Sequence, residues 1–245
     1  MEVPTMTATT VVIGAGPGLG MSIAHRFGRE GHAIALISRN GDRHPGYLAS
    51  LASAGIEATS HPADVRDRDA LLGALDEITA RHGAVDVVYY GPGAADPAAR
   101  PAPITETDVP AAQEAMSWVY PAIDAVRAVL PGMLERGHGG LLFAGGLSSV
   151  VPLPMIGNLA LSSAALRNYA ITLHAALADQ GVYAGTLTIG GLIERGDIHR
   201  MFLAESDRLG GAAVGTLNPD DLADAAWDLY KNRDRAEATF NAFAS

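Results

Sequence analysis

The chain has 245 residues, of which 48% are hydrophobic and 18% charged, and it carries a formal net charge of −10 with no cysteine. This length is typical of one α/β domain, and the acidic balance argues against nucleic acid as a partner. No disulfide can form, no apolar run approaches the roughly 18 residues of a membrane helix, and the first residues lack the apolar core of a signal peptide. We therefore expect a globular, cytoplasmic protein with no membrane partner.

The hydrophobic pattern alternates between strand-like and helix-like segments along the whole chain. Short β-branched runs indicate buried strands, and apolar residues at three- and four-residue spacing indicate helices. This alternation predicts an α/β fold of the Rossmann-like, doubly wound kind, with one parallel sheet in a single domain over residues 1–245. Strands are predicted at 9–13, 33–38, 56–61, 85–90, 140–145, 182–189 and, at the edge, 236–240, and helices at 19–31, 48–54, 69–82, 111–135 and 156–179.

Two long segments are predicted to be connections. Residues 91–110 contain several prolines, which cannot donate to a sheet ladder, and this favours a loop. Residues 190–217 form a longer excursion of the kind that is usually a lid or a substrate loop. The last helix follows, because Asn218 suits a cap, Pro219 suits the first position and two carboxylates suit the first turn.

A glycine-rich turn links the first strand to the first helix. The segment VVIGAGPGLGMSIAHRF places Gly14, Gly16, Gly18 and Gly20 there, with Leu19 opening the helix. Without a Cβ, the backbone can turn tightly and approach a pyrophosphate, whose charge is stabilised by N–H groups at the helix start. A tight turn alone could have this composition, but the strand before it and the amphipathic helix after it supply the context of a dinucleotide site. We therefore expect a dinucleotide cofactor.

The end of the second strand indicates which dinucleotide is expected. An acidic residue there binds a ribose 2′-hydroxyl, whereas a basic residue accommodates a 2′-phosphate. The strand ends in Ser38, Arg39 and Asn40, without a carboxylate. The alternative is that Arg39 is an ordinary solvated side chain. The expected cofactor is NADP(H), and no metal site is expected.

These motifs resemble the short-chain dehydrogenase/reductase family over essentially the full length of the chain. Gly14, Gly18 and Gly20 match its Gly-xxx-Gly-x-Gly loop, although Ile13 stands where Thr or Ser is usual. The segments RAVLPGM (127–133) and AALRNYAITLHAAL (164–177) are similar to its fourth and fifth helices, and TIGGLI (188–193) to its Pro-Gly segment beside the nicotinamide.

The resemblance implies further cofactor contacts at the carboxyl ends of the strands. Asp64 matches an Asp that accepts a hydrogen bond from the adenine amino group. The segment DVVYYGPG (86–93) departs from the usual Asn-Asn-Ala-Gly at Tyr90 and Gly91, whereas Gly93 fits. The expected cofactor-binding residues are Gly14, Gly16, Gly18, Leu19, Gly20, Ser38, Arg39, Asn40, Asp64, Val65, Gly91, Gly190 and Leu192.

The resemblance also implies a catalytic Asn, Ser, Tyr and Lys, in which Tyr donates a proton, Lys lowers its pKa and Ser holds the substrate oxygen. Aligning the motifs puts Trp118, Gly146, Leu159 and Ser163 at these positions, so all four groups are absent. No Tyr-xxx-Lys occurs in the chain, whose sole lysine is Lys231 in the last helix. Leu159 cannot donate a proton and Ser163 carries no charge, so the usual general acid is missing.

Other side chains near the expected site are candidates to replace these groups or to form a pocket. Each polar candidate has a structural alternative, such as capping a turn or packing between helices. The apolar candidates are expected to line a pocket for a large or aromatic substrate. The polar candidates are Tyr90, Tyr120, Ser148, Ser149, Ser162, Ser163 and His199, and the apolar ones are Trp118, Met155, Ile156, Leu159, Leu192, Ile193, Met201 and Phe202.

Three functions remain open at this point. The expected one is an NADPH-dependent oxidoreductase that transfers hydride to an electrophilic small molecule needing no strong acid. The alternatives are an NADP-binding cyclase or isomerase without net redox chemistry, and a non-catalytic protein that responds to the nucleotide. The apolar fourth and fifth helices, which pair across a subunit interface in this family, agree with a homo-oligomer. The sequence does not indicate the substrate.

Overall fold

Seven parallel strands form one central sheet. The computed structural model describes residues 7–93, 101–205 and 215–243. The strand order is β3-β2-β1-β4-β5-β6-β9, and every neighbouring pair is parallel. This arrangement confirms the predicted Rossmann-like α/β fold. The strands are Thr9–Ile13 (β1), Ala33–Ser38 (β2), Ala58–Pro62 (β3), Val87–Tyr90 (β4), Gly139–Gly146 (β5), Val182–Gly190 (β6) and Glu237–Asn241 (β9).

Helices cover both faces of the sheet. The described residues include α1 (Leu19–Arg29), α2 (His44–Ser53), α3 (Arg68–His82), α4 (Val109–Met116), α5 (Tyr120–Arg136), α6 (Gly157–Leu177), α7 (Asp197–Glu205) and α8 (Pro219–Asn232). Buried side chains of α3, α5 and α6 pack on one face, and those of α1, α2 and α8 pack on the other. β1 is buried along its whole length and consists of β-branched residues, which suit a strand covered on both faces.

The predicted helix over 111–135 is wrong, because the structure divides it into α4 and α5. The break falls at residues 117–119, and Pro121 then occupies the first turn of α5. Proline has no N–H to donate and its ring clashes with the carbonyl four residues earlier, so it favours the start of a new helix over the interior of a long one. The predicted loop 91–110 contains a short 3-10 turn at Ile104–Glu106 and the first residues of α4, and its residues 94–100 lie outside the described ranges.

The connection after β6 contains regular structure of its own. Two short strands, Leu192–Ile193 (β7) and Thr216–Leu217 (β8), pair in parallel and bring its two ends together. Between them lies α7, and residues 206–214 are outside the described part of the chain. Arg195 has a φ of 64°, a left-handed conformation that costs a non-glycine residue strain.

The edge strand β9 is held in place by a charged pair. The Arg167 guanidinium of α6 donates to both carboxylate oxygens of Glu237, at 2.7 and 2.6 Å. That hydrogen bonding, with a contribution from the Thr188 hydroxyl, holds the pKa of Glu237 below its usual value despite partial burial. The edge position of this strand was predicted, and its partner strand β6 confirms it.

Candidate active site

The glycine turn lies where the strand order changes direction. β1 has β2 on one side and β4 on the other, and ligands of open parallel sheets bind at the carboxyl ends of strands at such a point. Gly14 follows β1 with a φ of 97°, which favours glycine. A Cβ on Gly14 would lie 2.7 Å from the carbonyl carbon of Gly91, so the turn packs directly on the end of β4.

The start of α1 presents unpaired backbone donors. Gly18 caps the helix without a side-chain hydrogen bond, and the first turn contains no acidic residue. The N–H groups of Gly18, Leu19 and Gly20 have no acceptor among the described residues. Such groups carry the positive end of the helix dipole, so this turn can bind an anion such as a pyrophosphate.

Two arginines, Arg39 and Arg43, follow β2 at the carboxyl end of the sheet. Ser38 is hydrogen-bonded to His44 at 2.7 Å, and the Asn40 amide donates to the Asp42 carboxylate at 2.9 Å. Asp42 is thus a carboxylate near the end of β2 that was not predicted to belong to the site. It is hydrogen-bonded to Asn40 in the same turn. Arg39 is exposed, and Arg43 caps the start of α2 one turn of chain later. Arg43 belongs to no motif and was not predicted to be a site residue.

Asp64 and Val65 follow β3 at the same edge of the sheet. Val65 is buried in the core, whereas Asp64 is half-buried. The Asp64 carboxylate accepts from the Arg66 N–H at 3.0 Å, and the Arg66 guanidinium lies 3.6 Å from the same oxygen. These contacts fix the Asp64 side chain beside the cleft.

Two of the four positions implied to be catalytic meet at the end of β5. A Cβ on Gly146 would lie 3.0 Å from the Ser163 Oγ of α6 and 3.2 Å from the Ser148 Oγ. Leu159 lies one helical turn before Ser163 and is half-buried. Trp118 lies between α4 and α5, where its ring would be 2.7 Å from a Cβ on Gly93 at the end of β4.

Serine hydroxyls near Gly146 lack hydrogen-bond partners among the residues that the structure describes. The hydroxyls of Ser148, Ser149 and Ser163 make no hydrogen bond to any described residue, and the Ser149 Oγ is buried. The Trp118 Nε1 is also buried without an acceptor. Ser162 differs, because its hydroxyl donates to the Leu159 carbonyl at 3.1 Å. A substrate oxygen near Gly146 would therefore find donors that the fold itself does not use.

The other polar candidates have different surroundings. Tyr90 is buried at the end of β4 and donates to the Trp118 carbonyl at 2.6 Å, and its burial raises the pKa of its hydroxyl. Tyr120 is 54% exposed at the start of α5, and His199 is half-buried on α7. Since the Tyr90 hydroxyl is already engaged, the serines are better placed to bind a substrate.

The apolar candidates lie on three segments near the same end of the sheet. Met155 is 70% exposed before α6, and Met201 is 56% exposed on α7. The remaining ones, Trp118, Ile156, Leu159, Leu192, Ile193 and Phe202, are half-buried. None of them lines the cavity of about 390 Å³ beside the glycine turn, which lies between α1, α2 and Arg195.

Residues 194–197, here called the strap, lie directly on the glycine turn. A Cβ on Gly18 would lie 3.1 Å from the Gly196 Cα and 3.3 Å from the Glu194 carbonyl oxygen. Arg195 donates to the Ser22 hydroxyl of α1 at 3.1 Å and pairs with Asp220 of α8 at 2.7 Å. Asp197 accepts two hydrogen bonds from Arg43, at 3.0 and 2.7 Å.

No helix in the described ranges is long and apolar enough to cross a membrane. Nor do the described residues include a group of three or more His, Asp or Glu side chains placed to hold a metal ion.

The sequence profile of the short chain dehydrogenase family matches residues 8–193. The chain belongs to this family. A short chain dehydrogenase of Pseudocercospora fijiensis is 26% identical over 186 residues, which is 74% of this chain and 59% of that protein. The NADP-dependent 3-hydroxy acid dehydrogenase of Salmonella typhi is 26% identical over 224 residues, 89% of this chain and 86% of that protein.

The fold agreement extends over the whole chain. The L-sorbose reductase of Gluconobacter frateurii, solved with NADPH and L-sorbose, matches with a TM-score of 0.80 at 19% identity, covering 99% of this chain and 98% of that one. This similarity confirms the predicted fold. The chain spans 59% of the Pseudocercospora protein and 48% and 28% of two further relatives, so the activities of those whole proteins do not transfer to it directly.

Proposed function

We propose that the chain is an NADPH-dependent reductase of small electrophilic molecules that works without the usual general acid. The observation that carries this proposal is the set of unpaired N–H groups at Gly18, Leu19 and Gly20, at the start of a helix without an acidic first turn. Such donors at a helix start suit a pyrophosphate. The NADPH complex of L-sorbose reductase, a protein of the same fold, supports this assignment.

The nucleotide side of the site favours a 2′-phosphate. Arg39 and Arg43 stand at the end of β2 and the start of α2, and neither Ser38 nor Asn40 offers a carboxylate to a ribose hydroxyl. A guanidinium binds a phosphate dianion through charge-assisted hydrogen bonds, which are stronger than neutral ones. Asp64, which follows β3 at the same end of the sheet, is proposed to accept a hydrogen bond from the adenine amino group.

The substrate side supplies hydrogen bonds but no proton. When bound, the cofactor would supply hydride to the substrate. Ser148 and Ser163 converge near Gly146 and can donate to the substrate oxygen, but an aliphatic hydroxyl does not ionise near neutral pH. Leu159 contributes only apolar surface. The substrate must therefore accept hydride readily, as an iminium ion, a quinone methide or a polarised enone does, and any proton it needs comes from water.

Residues 190–217 are proposed to act as a lid in a single catalytic domain. Leu192, Ile193 and Phe202 are half-buried apolar residues of this segment, and Met155 and Met201 are exposed, which suits a large or aromatic substrate. Such a lid would exclude water once the substrate is bound.

The exposed apolar residues of α5 support an assembly of identical chains. Tyr120, Ile123 and Leu134 are 54%, 36% and 37% exposed, and Leu161 of α6 is 44% exposed. Apolar side chains in such numbers on neighbouring helices suit an interface. Analytical ultracentrifugation of the purified protein tests this, and a monomer at all concentrations would contradict it.

The first test is a binding titration of the purified protein with NADPH and with NADH, repeated on Arg39→Ala. We expect NADPH to bind more tightly than NADH and the variant to weaken NADPH selectively, because only NADPH offers the phosphate. If neither NADPH nor NADH binds, the reductase proposal is refuted.

The second test is a substrate panel with NADPH consumption and product measured separately. Consumption in step with product indicates the reductase, product without consumption indicates the cyclase or isomerase, and binding with no turnover indicates a non-catalytic protein. Ser163→Ala should lower kcat about 10-fold or more if its hydroxyl stabilises charge on the substrate oxygen. Ser162→Ala is the matched control, because the Ser162 hydroxyl is bound to the Leu159 carbonyl.

A gain-of-function variant tests the missing acid. Leu159→Tyr combined with Ser163→Lys places a phenol and an ammonium four residues apart on one face of α6. The pair is expected to confer turnover of ordinary ketones, which the wild-type protein should leave unreacted. Wild-type turnover of ordinary ketones would show that another residue already supplies the proton.

A further inference from the structure

The strap lies beside the start of α1, where a pyrophosphate would bind. A Cβ added to Gly18 would lie 3.1 Å from the Gly196 Cα, so the backbones of the strap and the glycine turn approach each other closely. The pairing of β7 with β8 holds the two ends of the connection together. The strap is therefore a neighbour of the helix start to which the nucleotide would bind.

Two arginine–carboxylate pairs hold the strap down. Arg195 joins it to Asp220 at the start of α8. Asp197 joins it to Arg43 with both carboxylate oxygens, and Arg200 of α7 also donates to Asp197. The Asp197 hydrogen bonds raise the pKa of Arg43, and although partial burial acts against ionisation of Asp197, the two arginines hold its pKa below the usual value. The Arg43–Asp197 pair is thus ionised at neutral pH.

Arg43 lies within reach of the nucleotide cleft as well. Gly196 lies beside Gly18, and the next residue, Asp197, binds Arg43, so consecutive strap residues adjoin the glycine turn and the arginine. Adjacent Cα atoms are only about 3.8 Å apart. The glycine turn is in turn bound to the end of β2, since the Gly14 N–H donates to the Ile37 carbonyl at 2.9 Å. The Arg43 guanidinium therefore borders the region between the glycine turn and the end of β2, where a ribose 2′-phosphate belongs.

We propose that the strap must shift for a nucleotide to reach the glycine turn, that the Arg43–Asp197 pair is a latch that holds the strap in place, and that the 2′-phosphate of NADPH opens this latch by displacing Asp197 from Arg43. This inference rests on the proposed function. The free-energy cost of breaking the Arg43–Asp197 pair is the same whether NADPH or NADH binds, but only NADPH gives Arg43 a new anionic partner. Arg43 thereby acts as a specificity residue, and Asp197 lowers the affinity for every dinucleotide.

NADH affinity distinguishes this latch from a simple phosphate contact. Asp197→Asn and Arg43→Ala are each expected to tighten NADH binding by about 3- to 10-fold, the range for breaking one partly exposed ion pair. The double variant should bind NADH no more tightly than either single variant, because one pair is broken in all three. NADPH binding should tighten in Asp197→Asn and weaken in Arg43→Ala.

A second readout follows the strap itself. Amide hydrogen exchange of residues 194–200 in the nucleotide-free protein should be faster in both latch variants than in the wild type. Asp234→Asn and Arg235→Ala form the matched control, because these residues make an exposed pair at 2.9 Å after α8, at the opposite edge of the sheet. Neither control should change NADH affinity or exchange of the strap.

The failures of the two proposals are distinguishable. If the wild type binds NADPH while neither latch variant changes NADH affinity or strap exchange, the latch is overturned and the reductase proposal stands. If the wild type and both variants bind neither nucleotide, the reductase proposal fails and takes the latch with it.

Discussion

The substitution Gly20→Ala tests how closely the glycine turn packs on α1. A Cβ at position 20 would lie 2.6 Å from the Gly14 carbonyl oxygen and 3.0 Å from the Ala15 Cα. Both neighbours are backbone atoms, and the N–H groups of Gly14 and Ala15 are bound to the Ile37 carbonyl at 2.9 and 3.0 Å, so they cannot rotate aside. The turn and the helix must move apart by several tenths of an ångström.

Overpacking of this kind costs ~1–3 kcal/mol, and the better helix propensity of alanine offsets ~1 kcal/mol of that cost. Because two backbone contacts are involved, we expect a net loss of ~1–2 kcal/mol in the free energy of unfolding, measured by urea denaturation. NADPH binding should weaken as well, since the Leu19 and Gly20 N–H groups move with the helix.

The same substitution elsewhere provides the control. Gly73 lies in the middle of α3, where an added Cβ meets no atom within 4 Å. Gly73→Ala should therefore raise stability by ~0.5–1 kcal/mol. If Gly20→Ala were stabilised to the same extent and bound NADPH like the wild type, the close approach of turn and helix would be refuted.

Three further substitutions test contacts elsewhere in the fold. Glu237→Gln removes the carboxylate that accepts both hydrogen bonds from Arg167, so we expect a loss of ~1–3 kcal/mol in the free energy of unfolding at neutral pH. The wild type loses this stabilisation as the pH falls through the lowered pKa of Glu237. The free energies of unfolding of the wild type and the variant, measured with urea, should therefore converge in acid. A difference that stays constant with pH would contradict the role of Arg167. Tyr90→Phe removes the buried donor to the Trp118 carbonyl and should cost ~1 kcal/mol without lowering kcat, whereas a large fall in kcat would assign Tyr90 a chemical role. Asp67→Ala removes the cap of α3 and should cost ~0.5–2 kcal/mol, and an unchanged urea midpoint would argue against the cap.

The strands of the sheet can be predicted from the sequence because most are short apolar runs with clear boundaries. β1 and β2 are short apolar runs between a glycine turn and polar residues, so their periodicity and bounds agree with the structure. The break between α4 and α5 was missed because the apolar pattern continues across it, although Pro121 was a usable signal. Pro45 gives the same signal in the first turn of α2, which begins four residues before the prediction.

The site was predictable only where local spacing determines it. The glycine turn and the end of β2 carry their own motifs, and the meeting of Gly146 with Ser163 follows from family spacing. The contacts of the strap are different, because Arg43 and Asp197 lie 154 residues apart and neither belongs to a motif. Only the packing of the connection on the glycine turn brings them together, and no periodicity in the sequence encodes that contact.

The position of Trp118 gives the protein a built-in optical reporter. The chain has two tryptophans, and Trp227 is buried in the opposite helical layer beside Phe27. Trp118 instead covers Gly93 at the carboxyl end of β4 and stacks under the Arg66 guanidinium, 4.6 Å from its ring centre. In a Trp227→Phe background, the remaining indole emission would come from the active-site end of the sheet alone. Changes in the wavelength and intensity of this emission would then report the binding and release of ligands at the site in real time, without an attached dye.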